Sequence, residues 1–541
     1  EDQVWSFDAV RKYSRNVLHH IGLFPQDRNN NCYMCQSEKL TGFSGTSRGK
    51  NLEIDPTLSG VLTQNRESFP DGKFVKKEGK VEPGITARWG FTPNLTLSGT
   101  VNPDFSNVEA DVAQLDINKQ FALYYPEKRP FFLEGATMFN TLFNIIYTRT
   151  LVDPNGGIKL TGKEGRHAVG FFSVNDNITN LLIPGSQGSY WTSLDIDTQG
   201  STLRYRRDIG KASNLGLVLS DREGDDYFNR VAGIDGSFRF GKKDRVSFQF
   251  LGSQTRYPGH IVEKYEQPGD DFTGTALNLV YAHRTRTFNW TFNYQDIAPE
   301  FRADLGFLPQ VGYRYFSGIF YHPWRRAPGS WYTLFSLGTS YLTEEDYDGN
   351  RLHQSFQLFL RYAGPAQSFF NFDFNTGEKS YMGLLFDETF IKVRTGFKIS
   401  KTLVLALAGQ FGDQVDFTNN QDGTLFSLTP QMELRLGSHL FTYVGHNYEK
   451  LDVAGGRLYS ANLTNLHFVY QFNKRTFLRA ILQYADYTFN TDLYPDNRDP
   501  KYEHLFSQFL FSYKINPQTV LFLGYSDDYF GYRVIPLTQN N

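Results

Sequence analysis

The stretch Thr402–Phe411 reads TLVLALAGQF, and its side chains alternate in size and polarity. One face carries large apolar side chains and a glycine: Leu403, Leu405, Leu407, Gly409 and Phe411. The opposite face carries smaller or polar side chains: Thr402, Val404, Ala406, Ala408 and Gln410. Alternation is typical of a β-strand, because successive side chains point to opposite faces of a sheet. This polarity difference is typical of a strand that separates lipid from a wet lumen.

A similar pattern recurs towards the C-terminus. One face there carries Phe509, Phe511, Tyr513 and Ile515, and the other carries Gln508, Leu510, Ser512 and Lys514. Between Leu466 and Phe472 the alternation is less regular, since Val469 shares a face with His467 and Gln471. Aromatic residues also cluster in Tyr313–Trp324, at the ends of strand-like runs. Rings at strand ends are typical of the aromatic girdles at membrane interfaces.

From Gly200 onward the chain repeats one unit, in which a strand-like run, a short turn, a second run and a longer loop follow one another. The short turns include Gly241–Asp244, Arg284–Arg286, Ser400–Lys401, Gly437–Ser438, Asn473–Arg475 and Asn516–Gln518. The loops between these hairpins are rich in Asp, Asn, Gly and Tyr. Short turns at one edge and longer loops at the other predict an up-and-down antiparallel barrel of the outer-membrane type.

Composition supports this prediction. The 541 residues are 16% aromatic and have a mean hydropathy of -0.44. No stretch approaches the ~20 apolar residues of a transmembrane helix, and only helices or closed barrels satisfy their backbone groups in lipid. We therefore predict an all-β fold, a large transmembrane antiparallel β-barrel with inward-folded segments. A soluble sandwich or propeller is the alternative, but sandwiches seldom contain so many consecutive hairpins.

Hairpins after Gly200 and six earlier runs give a predicted total of about 24 strands, within a range of about 22 to 26. Side chains alone do not fill a barrel this wide, so it must hold water, inserted segments or both. We predict an N-terminal segment over 1–50 at the periplasmic mouth or partly in the lumen, a barrel over 51–532 and a tail over 533–541.

The formal net charge of -2 argues against a nucleic-acid partner, because nucleic-acid-binding surfaces are clustered and basic. The predicted partners are the lipid bilayer and lipopolysaccharide in the outer membrane of a Gram-negative-type bacterium, with a periplasmic or surface protein as a further option. Acidic runs such as Asp221–Asp226, Glu344–Asp346 and Asp496–Asp499 are interpreted as solvated loops rather than cation sites.

A first group of polar residues lies between Asp104 and Asp116. It supplies oxygen atoms from Asp104, Asn107, Glu109, Asp111 and Asp116. Calcium takes such ligands, although the spacing does not match an EF-hand loop. The alternatives are carboxylates in the lumen paired with Arg or Lys, and contact with a substrate. We predict no cofactor and no metal site, with calcium at this group kept as an option.

A second group is Glu127–Gly135, in which Glu127, Lys128, Arg129 and Glu134 flank Phe131 and Phe132. Basic side chains at mid-bilayer cost about 2–4 kcal/mol, so the segment is expected to fold inward or lie at a rim. With Ala136–Ile146 it is interpreted as a constriction packed by Phe131, Phe132, Phe139 and Phe143. Arg129 is expected to pair with Glu127, Glu134 or a carboxylate of the first group. The segment is either a structural latch or a gate.

The third group contains the chain's two cysteines, Cys32 and Cys35. In an oxidising envelope an isolated pair usually forms a disulfide. The two-residue spacer also allows redox activity, and thiolates with His19 and His20 could form a zinc site. No His follows Cys35 directly, which disfavours haem attachment.

Several stretches resemble the DUF5916 family of bacterial envelope proteins. The closest are Val101–Asp111, VNPDFSNVEAD, and Tyr125–Gly135, YPEKRPFFLEG. Further matches are Arg48–Ile54, Gly157–Lys163 and Phe301–Phe307. The resemblance implies an outer-membrane barrel, often preceded by a domain similar to carbohydrate-binding family 9. That domain is absent here, and Trp5–Arg11 resembles the junction where it would end, so Glu1 is expected to be a cut. The family has no settled activity.

No catalytic motif is found, including Gly-x-Ser-x-Gly, His-Glu-x-x-His and phosphate-binding loops. We therefore predict that the protein is not an enzyme, and a barrel-embedded hydrolase is the least favoured function. The favoured function is a conduit for a polar solute, with an oligosaccharide suggested by family analogy. The alternative is a plugged barrel that anchors an envelope protein complex.

Overall fold

The computed structural model describes residues 3–14, 18–25, 36–43, 51–66, 73–103, 109–327, 329–516, 519–532 and 538–539. These residues form strands joined by turns and loops, with two short helices, α1 (Pro130–Leu133) and α2 (Gly259–Tyr265). Among the described residues, no helix combines the length and apolar character needed to cross a membrane.

Strand bounds follow in chain order. The strands are β1 (Gln3–Phe7), β2 (Arg11–Ser14), β3 (Leu18–Ile21), β4 (Glu38–Phe43), β5 (Leu52–Arg66), β6 (Phe74–Trp89), β7 (Leu95–Val101), β8 (Pro154–Glu164), β9 (His167–Asp176), β10 (Thr179–Pro184), β11 (Ser189–Leu194), β12 (Thr198–Ile209), β13 (Ser213–Gly224), β14 (Tyr227–Phe240), β15 (Asp244–Arg256), β16 (Phe272–Arg284), β17 (Asn289–Ile297), β18 (Tyr313–Arg325), β19 (Leu334–Glu345), β20 (Arg351–Ala363), β21 (Phe369–Tyr381), β22 (Leu384–Lys398), β23 (Leu403–Asp416), β24 (Gln421–Leu436), β25 (Leu440–Val453), β26 (Gly456–Asn473), β27 (Thr476–Phe489), β28 (Lys501–Asn516), β29 (Thr519–Tyr532) and β30 (Thr538–Gln539).

One antiparallel sheet contains 24 of these strands, β5–β9 and β12–β30. Neighbours in the sheet follow the order of the chain, except that β9 pairs with β12 and leaves out the β10–β11 hairpin. Two further small sheets pair β1 with β4 and β2 with β3. The all-β class and the strand number predicted from the hairpins are thus confirmed.

The two faces of the large sheet differ in polarity. The inner face is defined here as the one that contacts residues 109–153, and the outer face is its opposite. Leu407 on β23 and Leu523 on β29 lie on the outer face and are 40% and 70% exposed. Other large exposed side chains of the outer face are Leu58, Phe250, Leu337, Phe356 and Phe411. Apolar exposure along so many strands far exceeds the small patches of soluble proteins.

Connections differ between the two edges of the sheet. The turn edge carries short connections such as 210–212, 241–243 and 437–439. The loop edge carries the longest ones, which are 102–153, 177–197, 257–271, 298–312 and 490–500.

Two of the acidic runs interpreted as loops lie largely within strands at this edge. Asp221–Gly224 belongs to β13, and Glu344–Glu345 ends β19. These charged stretches are compatible with strands because opposite charges pair between neighbouring strands, as Arg230 of β14 does with Asp221 of β13.

The buried core lies between the inner face and the chain that folds against it. One cluster centres on Ile145 and Leu251, and a second packs Leu115 against Leu451. A third surrounds Phe132 and Leu151. The β10–β11 hairpin forms a fourth cluster with strands β14 and β16 and with helix α2. The core is therefore built from inserted chain as well as from strand side chains.

Candidate functional site

Residues 109–153, here called the inward segment, connect β7 to β8 and lie on the inner face of the sheet. Near the start of the segment, the Ala110 amide donates to Oε1 of Gln508 on β28 at 3.2 Å. Near its middle, the Phe143 amide donates to Oε1 of Gln249 on β15 at 2.8 Å. β28 and β15 are far apart in the strand order in both directions. The segment therefore crosses the space between distant parts of the sheet.

Arg129 is the centre of the densest polar contacts in the inward segment. Its Nε and Nη2 donate to the two carboxylate oxygens of Glu127 at 2.9 and 2.7 Å. Nη1 donates to the Leu151 carbonyl and Nη2 to the Thr148 carbonyl, both at 2.6 Å. The guanidinium also lies 4.4 Å from the centre of the Phe132 ring. Of the pairings considered for Arg129, the structure has the one with Glu127. The two carbonyl contacts of Arg129 join the ends of the loop that runs from Glu127 to Leu151.

The Glu127 carboxylate is stabilised by these contacts. Burial raises its pKa, but the hydrogen bonds and charge of Arg129 and a hydrogen bond from Thr148 outweigh burial and leave the pKa below the ordinary 4.5. A lowered pKa in the folded state means that this contribution to stability is complete above about pH 4.5 and is lost as the pH falls through the lowered value.

Acid is therefore expected to loosen the inward segment through Glu127. In planar bilayers, the conductance of the wild-type protein should rise as the pH falls through this lowered pKa and the carboxylate becomes protonated. Glu127→Gln should conduct more at neutral pH and lose part of this acid response. Glu134→Gln, which removes an acid paired with Arg88 at 2.8 Å, is the matched control. Equal acid responses in the wild type and in Glu127→Gln would contradict this expectation.

Two carboxylates of the first group, Asp111 and Glu109, also have basic partners. Asp111 lies 3.5 Å from Nζ of Lys128 and accepts hydrogen bonds from Arg149. Glu109 lies 3.3 Å from Nδ1 of His467 and 3.9 Å from Nη1 of Arg479. These contacts correspond to the interpretation of the group as paired lumen carboxylates.

A metal at this group stays a prediction. The described part of the chain has no cluster of three or more His, Cys, Asp or Glu side chains that could hold a metal ion. Asp104 and Asn107 lie outside the described residues, as do Cys32 and Cys35. The calcium option and the predicted disulfide are therefore untested.

The aromatic rings of the predicted constriction do not meet at one point. Phe131, Phe132 and Phe139 are buried together, whereas Phe143 packs in a different cluster around Ile145. α1 begins with Pro130, and its two rings pack back against the sheet rather than towards open space. Glu134, next to α1, pairs with Arg88 of β6. The rings thus fix the segment to the sheet instead of forming a ring of gate residues.

A buried network around Arg222 holds three inserted parts of the chain, and sequence reasoning missed it. Arg222 is 0% exposed and donates to the carbonyls of Asn180 at 2.8 Å and Thr150 at 3.2 Å. It lies 3.4 Å from the carboxylate of Asp176, which accepts the Asp153 amide at 2.6 Å. The Arg222 guanidinium therefore joins the β10–β11 hairpin, the inward segment and β9.

Asp304 extends this network into the 298–312 loop. Its carboxylate accepts hydrogen bonds from the hydroxyls of Tyr227 at 2.8 Å and Tyr257 at 3.0 Å. Burial raises the pKa of Asp304, although those hydrogen bonds and the nearby Arg222 act in the opposite direction. Asp304 lies in the Phe301–Phe307 motif, which was the only sequence signal for this network.

Family comparison agrees with the motifs. Residues 51–160 match the family model described as "Domain of unknown function (DUF5916)". The matched range contains Val101–Asp111 and Tyr125–Gly135, the two stretches that carry the resemblance. The matched range covers β5–β7, the whole inward segment and the first part of β8. No curated protein matches the chain in sequence.

The solved structures that align with the chain have very different sequences. The FrpB iron transporter from Neisseria meningitidis is 9% identical, with 91% of this chain and 80% of that chain covered and a TM-score of 0.43. The siderophore receptor PirA from Pseudomonas aeruginosa is 9% identical, with coverage of 71% and 81% and a TM-score of 0.39. OmpT of Vibrio cholerae is 11% identical, with coverage of 61% and 90% and a TM-score of 0.25. At these TM-scores the similarities do not assign a function.

Proposed function

We propose that the large sheet closes into a barrel in the outer membrane and that the barrel is a gated conduit for a polar solute. The strand order, in which β30 neighbours β5, supports closure. The exposed apolar outer face supports insertion into lipid, because water would disfavour a surface of this kind. The bilayer and lipopolysaccharide would then surround the protein, and we propose a role that is not enzymatic.

A polar path beside the inward segment is the observation that carries this proposal. On β5 the inner-face side chains Thr57 and Thr63 are exposed, as is Ser526 on β29. Among the described residues, the hydrogen bonds and ion pairs of the inward segment with strands β12–β30 reach β13, β15, β23 and β25–β28. Within the described part of the chain, Thr57 and Thr63 on β5 and Ser526 on β29 thus form an exposed polar strip on the inner face.

Large side chains introduced on this path are expected to reduce conductance. The double variant Ser59→Trp with Ser526→Trp places two rings on the inner face of β5 and β29. The matched double variant Gly60→Trp with Tyr525→Trp places two rings on the outer face one position away, where a Cβ on Gly60 meets nothing within 4 Å. Planar-bilayer recordings should give lower conductance for the inner pair and wild-type conductance for the outer pair.

The outcome separates the two functions considered. A wild-type protein that does not conduct would contradict the conduit. It would favour a plugged scaffold that binds an envelope protein, a function also compatible with the many contacts of the inward segment. Equal conductance in both double variants would place the path elsewhere and contradict the assignment to β5 and β29.

A further inference from the structure

A cavity of about 450 Å³ lies between the inward segment and the β10–β11 hairpin. Its lining includes Asp116, Lys119, Tyr125, Tyr147, Asn180 and Trp191. Volumes of about 300–1,000 Å³ are typical of small-molecule sites, which combine apolar walls with a few polar groups. The hairpin is fixed on its other face, where Leu181 and Ile183 are buried against Tyr227 and Tyr257. The cavity wall is therefore held by the core.

Aromatic rings form one side of this cavity. The Trp191 side chain is 42% exposed, and its ring centre lies 6.4 Å from that of Phe307. The Tyr147 ring centre lies 5.3 Å from Phe307 and 5.1 Å from Tyr124. The Tyr147 hydroxyl donates to the Tyr125 carbonyl at 2.6 Å, which fixes the orientation of the ring. The rings thus form a supported aromatic surface with one exposed indole.

Charges at the cavity already have partners. Arg149 donates to Asp111, and the Lys119 ammonium lies 3.9 Å from a carboxylate oxygen of Glu449. Asp116 accepts a hydrogen bond from the Tyr487 hydroxyl at 3.4 Å. An anionic ligand would have to replace one of the two ion pairs, whereas a neutral ligand would leave both in place. The site therefore favours a neutral polar molecule.

We infer that this cavity binds a neutral oligosaccharide. A pyranose ring has an apolar C–H face, which packs on aromatic rings, and a rim of hydroxyl groups, which pair with amide and carboxylate side chains. Trp191, Tyr125 and Tyr147 supply the rings, and Asn180 and Asp116 supply hydrogen-bond partners. The inference names the solute class of the proposed conduit and rests on that proposed function. Binding to this cavity is nevertheless measured independently of conduction.

The test uses the purified full chain in detergent on an array of neutral and acidic oligosaccharides, followed by titration of the best neutral probe. We expect neutral probes to bind, and Trp191→Ala to weaken binding by about tenfold or more, equivalent to about 1.4 kcal/mol. Tyr190→Ala is the matched control, because Tyr190 is the adjacent hairpin residue, is 63% exposed and points away from the cavity lining. Trp191→Phe should retain most of the affinity.

Three results would overturn the inference. They are no binding of any neutral probe by the wild type, tighter binding of acidic probes, and equal losses in Trp191→Ala and Tyr190→Ala. Conduction without binding would contradict this site and leave the conduit intact. Binding without conduction would support the site and contradict the conduit.

Discussion

Replacing Arg129 by Ala is expected to free the inward segment and raise the conductance of the barrel. The side chains of Arg129 and Glu127 are only 11% and 13% exposed, so the variant leaves a largely buried carboxylate without its partner. Removing one member of a buried ion pair typically costs about 3–5 kcal/mol. The carbonyls of Thr148 and Leu151 lose their donors in the same change. The loop from Glu127 to Leu151 would then be held mainly by packing.

Conductance and stability together distinguish a gate from a latch at this position. Single-channel recordings in planar bilayers measure the first, and the temperature at which the folded band disappears in heat-modified electrophoresis measures the second. A gate predicts higher conductance together with the fall in melting temperature that loss of the buried ion pair causes. A latch predicts a lower melting temperature with unchanged conductance, and that result would contradict the gate.

Arg435→Ala is the control for Arg129→Ala. Arg435 also lies close to a carboxylate, at 2.8 Å from Glu433, but its side chain is 63% exposed. Exposed pairs contribute about 0–1 kcal/mol, so this variant should behave like the wild type in both measurements. Arg129→Lys should give an intermediate result, because an ammonium keeps the charge but not the planar fork that contacts Glu127 twice.

Replacing Arg222 by Ala is expected to lower the stability of the folded protein more than any other single arginine change discussed here. Its side chain and that of Asp176 are both 0% exposed, and a pair of this kind loses about 3–5 kcal/mol when one partner is removed. The carbonyls of Thr150 and Asn180 would also lose a donor. We expect a clear fall in the midpoint of urea unfolding, measured by tryptophan fluorescence.

Arg230→Ala provides the matched control on the opposite face of the sheet. Arg230 pairs with Asp221 and Glu223, but its side chain is 47% exposed. Its loss should change stability by about 0–1 kcal/mol. If Arg222→Ala and Arg230→Ala unfolded at the same urea concentration, the buried network would not hold the inserted chain as described.

Whether a contact could be predicted from the sequence depended on the distance along the chain between the two residues. The pairing of Arg129 with Glu127 was among the alternatives considered, because two residues that are separated by one position along the chain are already close in space. The contacts of Arg222 with Thr150 and Asp304 join residues 72 and 82 positions apart. Such pairs meet only after strand register is set. From the sequence alone, Asp221–Asp226 was therefore interpreted as a solvated loop. In the structure, Arg222 of this stretch is fully buried.

The aromatic residues illustrate the same limit. Charges beside Phe131 and Phe132 indicated that this stretch avoids lipid, which is a local property of the sequence. Local properties did not indicate that Phe143 packs beside Leu251 of β15, apart from the other three rings. That separation arises because the inward segment crosses from one group of strands to another before it reaches β8.

The sequence by itself determined the strands of the large sheet and their order. Alternation in stretches such as Thr402–Phe411 defines two faces, because the pleat sends neighbouring side chains in opposite directions, and the turns between stretches define the strand order. Only the tertiary structure decided which inner side chains meet the inserted chain. Those contacts depend on the register of strands far apart in sequence, and on the path of residues 109–153 over the inner face of the sheet.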